Sequence, residues 1–113
     1  MLDRYLLVEK GANCGERHAV DGLGRMVLGR GRKAAIRLAD PGLSREHCAF
    51  EHRGDEGWLV DLESKNGTSL NGLPAEEARL RSGDRVGVGQ TVLIFVEEAP
   101  PAASGDVSVE IDS

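Results

Sequence analysis

The chain of 113 residues has room for one compact domain, and its charge distribution excludes several classes of protein. The formal net charge is −5 because five acidic residues and no Lys or Arg follow residue 96; before it, 14 acidic residues balance all 14 basic ones. A neutral body is unlike a non-specific nucleic-acid binder, and no apolar run has the length of a signal peptide or a membrane span. Two cysteines are too few to indicate a disulfide framework. The sequence therefore predicts a cytoplasmic domain with no nucleic-acid or membrane partner.

Short apolar segments separated by turn residues every eight to twelve positions predict an all-β sandwich. In chain order, the predicted strands cover residues 5–9, 17–20, 26–29, 36–38, 48–52, 58–61, 69–70, 85–88 and 92–96. No segment has a convincing helical period. Residues 76–80 could form one helical turn, but Ser82-Gly83-Asp84 would end it, so this segment is interpreted as a loop with a short bridge.

The composition changes after Val96 to a segment rich in Pro, Ala and acidic residues, and proline cannot continue a central strand. This change predicts a domain over residues 1–96 and an acidic linker or tail over residues 97–113. Val107, Val109 and Ile111 alternate with polar residues in the tail. The tail is interpreted as disordered; addition to a sheet edge of this or another molecule is the alternative.

Two Asn-Gly pairs, Asn66-Gly67 and Asn71-Gly72, lie five residues apart in an otherwise strand-like sequence. Asn and Gly tolerate positive φ, so each pair can reverse the chain while turning backbone N–H groups outward, an arrangement that binds anions. Upstream, five cations lie within thirteen residues that contain no Asp or Glu: Arg25, Arg30, Arg32, Lys33 and Arg37. A local positive field on a neutral domain indicates a small anionic ligand bound by loops.

Six segments resemble the forkhead-associated (FHA) domain family in order and spacing. They are Gly29-Arg30, residues 36–40, Leu43-Ser44-Arg45-Glu46-His47, residues 58–68, Asn71-Gly72 and residues 80–84. The ordered set is specific and covers roughly residues 5–96. The resemblance implies a β-sandwich of about eleven strands whose loops at one end bind phosphothreonine in a partner protein of a Ser/Thr kinase pathway, without catalysis, cofactor or metal.

The resemblance also implies roles for individual residues. The residues matching Arg30 and Ser44 bind the phosphate, Arg45 can add a contact through its side chain or N–H, and the residue matching Asn66 holds the peptide backbone. Lys65 stands where the family often has Ser or Thr, which exchanges a hydroxyl contact for an ammonium. Structural support of the loops is expected from Gly29, His47, Gly67, Thr68 and Asn71.

Two other functional classes have some support in the sequence. Ser44, His47 and Asp61 are the residue types of a nucleophilic triad, but Ser44 and His47 are three residues apart at a loop-to-strand junction without a nucleophile elbow, so no catalytic residue is predicted. The alternative to phosphopeptide binding is a phosphate-independent scaffold acting through a sheet edge or the acidic tail. Because the chain's only threonines are Thr68 and Thr91, the phosphothreonine is expected in another protein or in further domains of a larger one.

Overall fold

The computed structural model describes residues 3–20 and 24–98, which form two β-sheets packed face to face. The strands are β1 (Asp3–Lys10), β2 (Arg17–Ala19), β3 (Arg25–Gly29), β4 (Ile36–Arg37), β5 (Cys48–Arg53), β6 (Glu56–Asp61), β7 (Thr68–Leu70), β8 (Leu73–Pro74), β9 (Glu77–Leu80), β10 (Arg85–Val88) and β11 (Thr91–Glu98). One sheet has the order β2-β1-β11-β10-β7-β8 and the other β4-β3-β5-β6-β9. The predicted all-β sandwich is confirmed. The described ranges contain no helix with the length and hydrophobicity needed to cross a membrane.

Period-two alternation builds the core between the sheets. Along β11, Leu93 and Phe95 are buried while Ile94 between them is partly exposed, and Phe50 and Leu59 fill the interior from the facing sheet. Cys48 also lies in this core, where burial raises the pKa of its thiol to about 12. It therefore acts as a small apolar side chain, and both Cys48 and the exposed Cys14 are free thiols.

The prediction of a loop over residues 76–80 is wrong. Glu77–Leu80 is strand β9, which pairs antiparallel with β6 from Val60↔Glu77 to Gly57↔Leu80. As an edge strand it buries Leu80 and leaves most of its other side chains at the surface, so its sequence carries little apolar signal. The short edge strand β8 was also not predicted, and it ends in Pro74, which an edge tolerates because no ladder donor is needed there.

The last strand extends beyond the predicted domain boundary at residue 96. β11 runs through Glu98, with Arg4↔Glu97 and Asp3↔Glu98 in register, and Arg4 Nε donates to Glu97 Oε2 at 2.6 Å. This ion pair explains how the acidic Glu97 is accommodated in the sheet. The predicted edge-forming segment around residues 107–111 lies outside the described residues.

Loops from both sheets meet at one end of the sandwich, here called the loop end: residues 11–16, 30–35, 38–47, 62–67 and 89–90. Hydrogen bonds join them, since Ala39 N–H donates to Asn13 Oδ1 and Gln90 N–H donates to Asp40 Oδ2, both at 2.8 Å. At the opposite end, Arg4 near the start of β1 donates to the carbonyl of Asp55 in the β5–β6 hairpin. One end of the sandwich therefore presents a surface that is built from several loops.

Candidate functional site

The strand end at Gly29 is pressed against the backbone of residues 44–45. Arg30 N–H donates to Ser44 O at 3.2 Å, and Gly31 N–H donates to Arg45 O at 3.1 Å. A Cβ on Gly29 would collide with the carbonyl oxygen of Arg45 and lie 2.9 Å from Ser44 O. Glycine is therefore required here by the close approach of two backbones, and not by its φ angle.

Arg30 directly follows this junction, and its exposed side chain is oriented by one hydrogen bond. Its Nε donates to Leu43 O at 2.7 Å, which fixes the guanidinium group above the loop that carries Ser44. In the described ranges no carboxylate lies within ion-pairing distance of Arg30. Its Nη groups keep the planar fork of donors that matches phosphate or carboxylate oxygens.

The Ser44 hydroxyl is held by the loop that carries Lys65. Its Oγ accepts the Lys65 backbone N–H at 2.9 Å. A hydroxyl that accepts at its oxygen still has one hydrogen to donate, so Ser44 retains a donor for an anion. The Lys65 N–H is used in this contact, and the Lys65 side chain is exposed beside it.

His47 is fully buried between the same two loops. Its Nδ1 accepts the Ser44 N–H at 3.1 Å and its Nε2 donates to Gly67 O at 2.8 Å, a pair of contacts that requires the neutral Nε2–H tautomer. The imidazole thus contacts the backbone of Ser44 and not its hydroxyl. Asp61 makes its hydrogen bonds elsewhere, so the three residue types of a triad are not connected as a proton relay.

Asp61 fixes the loop that presents Lys65 and Asn66. Its carboxylate accepts from Ser64 Oγ at 2.6 Å, Ser64 N–H at 3.2 Å and the buried Thr68 Oγ1 at 2.7 Å. Burial acts to raise the pKa of Asp61, but these hydrogen bonds outweigh it, and the pKa lies below its usual value of 3.8. The carboxylate is therefore ionised at neutral pH and fixes the loop through its hydrogen bonds to Ser64 and Thr68.

Asp40, whose role the sequence did not reveal, clamps the neighbouring loop. This buried carboxylate accepts Gly42 N–H at 2.8 Å, Gln90 N–H at 2.8 Å and Thr91 Oγ1 at 2.7 Å. Burial again opposes ionisation, and the hydrogen bonds again lower the pKa below 3.8. Asp40-Pro41-Gly42 predicts a local turn, but nothing local in the sequence indicates the partners fifty residues away.

The two Asn-Gly pairs have different roles. Asn71 and Gly72 both have positive φ, 52° and 86°, and form the two-residue turn of the β7–β8 hairpin. The Asn71 side chain donates to Asp84 Oδ1 at 3.1 Å and accepts Arg85 N–H at 2.9 Å, so it supports the start of β10 and lies away from Ser44. In the first pair only Gly67 has positive φ, and Asn66 Nδ2 instead donates to Gly42 O at 2.8 Å.

Hydrogen bonds therefore connect three segments, residues 30–31, 42–47 and 64–68, into one surface of oriented donors. Arg30, Ser44, Lys65 and Asn66 are brought together on it, and Arg45 lies beside them, while Asn71 is the predicted support residue that lies apart. Residues 3–20 and 24–98 contain no group of three His, Cys, Asp or Glu side chains placed to hold a metal ion. The surface is suited to binding an anion next to an extended chain.

Comparison with known proteins agrees with this geometry. The FHA domain family model matches residues 26–89. The oxoglutarate dehydrogenase inhibitor of Corynebacterium jeikeium is 34% identical over 97 residues, which cover 86% of this chain and 67% of that protein. The FHA domain-containing protein FhaA of Mycobacterium tuberculosis is 39% identical over 71 residues, 63% of this chain but only 14% of FhaA. A structure solved for phosphothreonine-dependent FHA domain interactions superposes with a TM-score of 0.77 at 33% identity, covering 83% of this chain and 95% of its own.

Proposed function

Because the chain belongs to the FHA domain family, we propose that it is a phosphothreonine-dependent interaction module that binds phosphorylated partner proteins in Ser/Thr kinase signalling. The observation that carries the proposal is that the Arg30 guanidinium and the Ser44 hydroxyl belong to adjoining segments of the loop end. Each is already oriented by a hydrogen bond to a neighbouring loop. Both groups keep donors that a phosphate can accept from. The solved relative named for phosphothreonine-dependent interactions supports the choice of ligand.

In the proposed complex, Arg30 and Ser44 donate to the phosphate, and Arg45 and the Lys65 ammonium add positive charge. Asn66, held at Gly42, uses its remaining amide groups to bind the peptide backbone beside the phosphothreonine. Each charged hydrogen bond contributes roughly 1.5–3 kcal/mol. Ordering a flexible peptide subtracts from the sum, so we expect a Kd on the order of 1 µM, or about −8 kcal/mol.

The proposal assigns no catalytic residue, because binding by preformed loops involves no chemical step. The carboxylates of the buried Asp40 and the partly buried Asp61 are used for hydrogen bonds to the loops. Kinase pathways and free thiols such as the exposed Cys14 both fit a cytoplasmic site of action.

A degenerate peptide library in three forms, with threonine, phosphoserine or phosphothreonine at the fixed position, tests the function at constant salt. We expect the wild type to retain the phosphothreonine pool best, with phosphoserine weaker by at least the value of one buried methyl, about 0.8 kcal/mol. Arg30→Ala should lose retention, and Arg79→Ala, which removes an arginine from the sheet face, should keep it. Equal retention of all three pools would instead indicate a phosphate-independent scaffold.

A further inference from the structure

The arginines of this domain divide into two groups by ion pairing. One group consists of five sheet arginines that are paired with carboxylates at 2.5–3.4 Å: Arg4, Arg25, Arg53, Arg79 and Arg85. Arg17 on β2 instead lies over the Tyr5 ring, 4.9 Å from its centre. Within residues 3–20 and 24–98, no ion pair within 4.0 Å involves the cations of segment 30–45. These cations are Arg30, Arg32, Lys33, Arg37 and Arg45. Positive charge at the loop end and on the adjoining strand β4 therefore has no ion-pair partner among the described residues.

These cations surround one concave surface, here called the basic depression. It has a volume of about 710 Å³ and is lined by Arg30, Arg32, Lys33, Arg37 and Arg45, with Glu46 as its one acidic side chain. The loop keeps its shape through backbone contacts, since Ala34 N–H donates to Gly31 O at 3.2 Å and Arg37 Nε donates to Arg30 O at 3.2 Å. The cations are thus held around a space large enough for an anionic side chain.

The basic depression adjoins the proposed phosphothreonine site without coinciding with it. Arg30 and Arg45 belong to both, whereas Ser44, Lys65 and Asn66 do not line the depression. A single phosphate held at Ser44 is neutralised by the cations nearest to it. Arg32, Lys33 and Arg37 would then remain beside the bound peptide, with Glu46 as the one acidic side chain that lines the depression.

We propose that the basic depression is a second anion subsite, which receives a carboxylate or a second phosphate carried by the same partner within a few residues of the phosphothreonine. This inference rests on the proposed function and adds to it a preference for partners that carry a second anionic group near the phosphothreonine. A phosphate brings close to two negative charges and three acceptor oxygens, and a carboxylate brings one charge and two oxygens. Both suit a cluster that contains two arginines, Arg32 and Arg37, and one lysine, Lys33, in addition to the shared Arg30 and Arg45.

A polyanion such as a nucleic acid is the less suitable occupant. Residues 1–96 carry equal numbers of acidic and basic residues, so this part of the chain has no overall positive charge. Nucleic-acid affinity depends on neutralising many phosphates along a track of Lys and Arg. A local concave cluster next to a phosphopeptide site favours one additional anionic group.

The test begins with one phosphothreonine peptide from the retained pool and a series in which each flanking position in turn carries Asp, Glu, phosphoserine or phosphothreonine. Affinities are measured by fluorescence anisotropy at fixed salt for the wild type and for the double variant Arg32→Gln, Lys33→Gln. The control is Arg79→Gln, Arg81→Gln, which removes the same charge at exposed positions outside the loop end. The affinity for the parent peptide, which carries only the phosphothreonine, tests the proposed function. The gain in affinity caused by the second anionic residue, here called the increment, tests the second subsite.

We expect the second anion to raise wild-type affinity about tenfold at one or two flanking positions, as one or more new charge-assisted hydrogen bonds would. The Arg32→Gln, Lys33→Gln variant should lose that increment while binding the parent peptide within about threefold of wild type; the control should keep the increment. A larger increment for phosphate than for Asp or Glu would identify a second phosphate as the source, and equal increments would identify a carboxylate.

Two results would overturn the inference. The first is an increment that is absent from the wild type or unchanged in Arg32→Gln, Lys33→Gln, although the parent peptide binds. The second is binding of a short single-stranded oligonucleotide that needs Arg32 and Lys33 and no phosphopeptide, since this would assign the basic depression to nucleic acid. Failure of the parent peptide itself would instead overturn the proposed function.

Discussion

The loop end and the outer face of the β5–β6–β9 sheet use the same residue type in opposite ways. On the sheet, Arg53 lies between Glu51 and Glu77, at 3.0 and 2.5 Å, and its guanidinium stacks 4.5 Å from the centre of the Trp58 ring. At the loop end, Arg30 is oriented by a backbone carbonyl, and no carboxylate of the described chain neutralises it. Among the described residues, carboxylates therefore neutralise five of the sheet arginines, whereas the arginines of the loop end have no such partner. The equal numbers of acidic and basic residues in residues 1–96 hide this difference.

The loop end is also stabilised differently. Its loops are joined by three side chains, the buried His47 and Asp40 and the partly buried Asp61. These side chains accept hydrogen bonds from backbone N–H groups and hydroxyls, and His47 also donates to a backbone C=O. Contacts of this kind fix the loops without using the exposed cations. A site organised before the ligand arrives loses less conformational entropy on binding.

The largest effect is expected where the two backbones of the loop end meet. In Gly29→Ala, the new Cβ collides with the Arg45 carbonyl, whereas in Gly57→Ala on β6 it would lie 3.1 Å from the Phe95 ring. We expect Gly29→Ala to lower the free energy of unfolding by about 3 kcal/mol, at the upper end of overpacking, and to abolish phosphopeptide binding. Urea denaturation of both variants measures this, and equal costs for the two glycines would contradict the close approach at the loop end.

The next largest effect is expected from replacing Arg30, whose charge has no ion-pair partner among the described residues. Arg30→Ala should weaken binding of a phosphothreonine peptide about 10- to 100-fold, because one or more charged hydrogen bonds of roughly 1.5–3 kcal/mol are lost. Arg30→Lys should recover part of the affinity at most, since an ammonium lacks the planar fork. Isothermal titration of these variants beside Arg79→Ala measures the effect, and a similar loss in Arg79→Ala would remove the distinction between loop and sheet arginines.

A smaller effect concerns the carboxylate below the Lys65 loop. Because the pKa of Asp61 is lowered on folding from 3.8, its stabilisation is complete above the unfolded-chain pKa and is lost as the pH falls through the folded pKa. Asp61→Asn should therefore cost about 1–3 kcal/mol at pH 7 and less at pH 3. Urea titrations at both pH values measure the difference, with Asp55→Asn in the exposed β5–β6 turn as the control. A cost that stays constant or grows at pH 3 would contradict an ionised Asp61.

The smallest effect belongs to the sheet face. Arg53→Gln removes two surface ion pairs and the contact with Trp58, and exposed pairs of this kind contribute about 0.2–1 kcal/mol each. We expect a loss of about 1 kcal/mol in the free energy of unfolding, which decreases with added salt, and unchanged phosphopeptide affinity. Reduced affinity in Arg53→Gln would show that the two regions are coupled.

Most of the strands could be predicted because their alternation is strong, as in β11, where Leu93 and Phe95 are buried. β9 could not, since an edge strand made of Glu77, Arg79 and their neighbours has little apolar period. The roles of the loop residues could not be predicted from local sequence either. Asn66 and Asn71 stand before glycine in the same way, and the tertiary contacts to Gly42 and Asp84 decide their separate roles.

Asp40 shows why part of the site was missed. Its partners at Gln90 and Thr91 are brought close only when the β10–β11 turn folds beneath residues 40–43. Ser44 and Lys65 are similarly distant in sequence, yet their segments could be recognised by resemblance to a family pattern. Long-range hydrogen bonds leave no local period in the sequence, so their donors and acceptors are found only from the fold.

The pairing of β1 with β11 has a further consequence for where any neighbouring segments would join this domain. Asp3 and Glu98 are register partners, so the strands enter and leave about 5 Å apart, at the end of the sandwich opposite the loop end. The eight residues of β1 place that exit about 25 Å from the loops. Tethers attached on either side therefore do not cross the binding surface, and the module can be inserted into a long chain as a side branch. The linker length then sets the effective concentration of the loops around a tethered partner without altering the loops themselves.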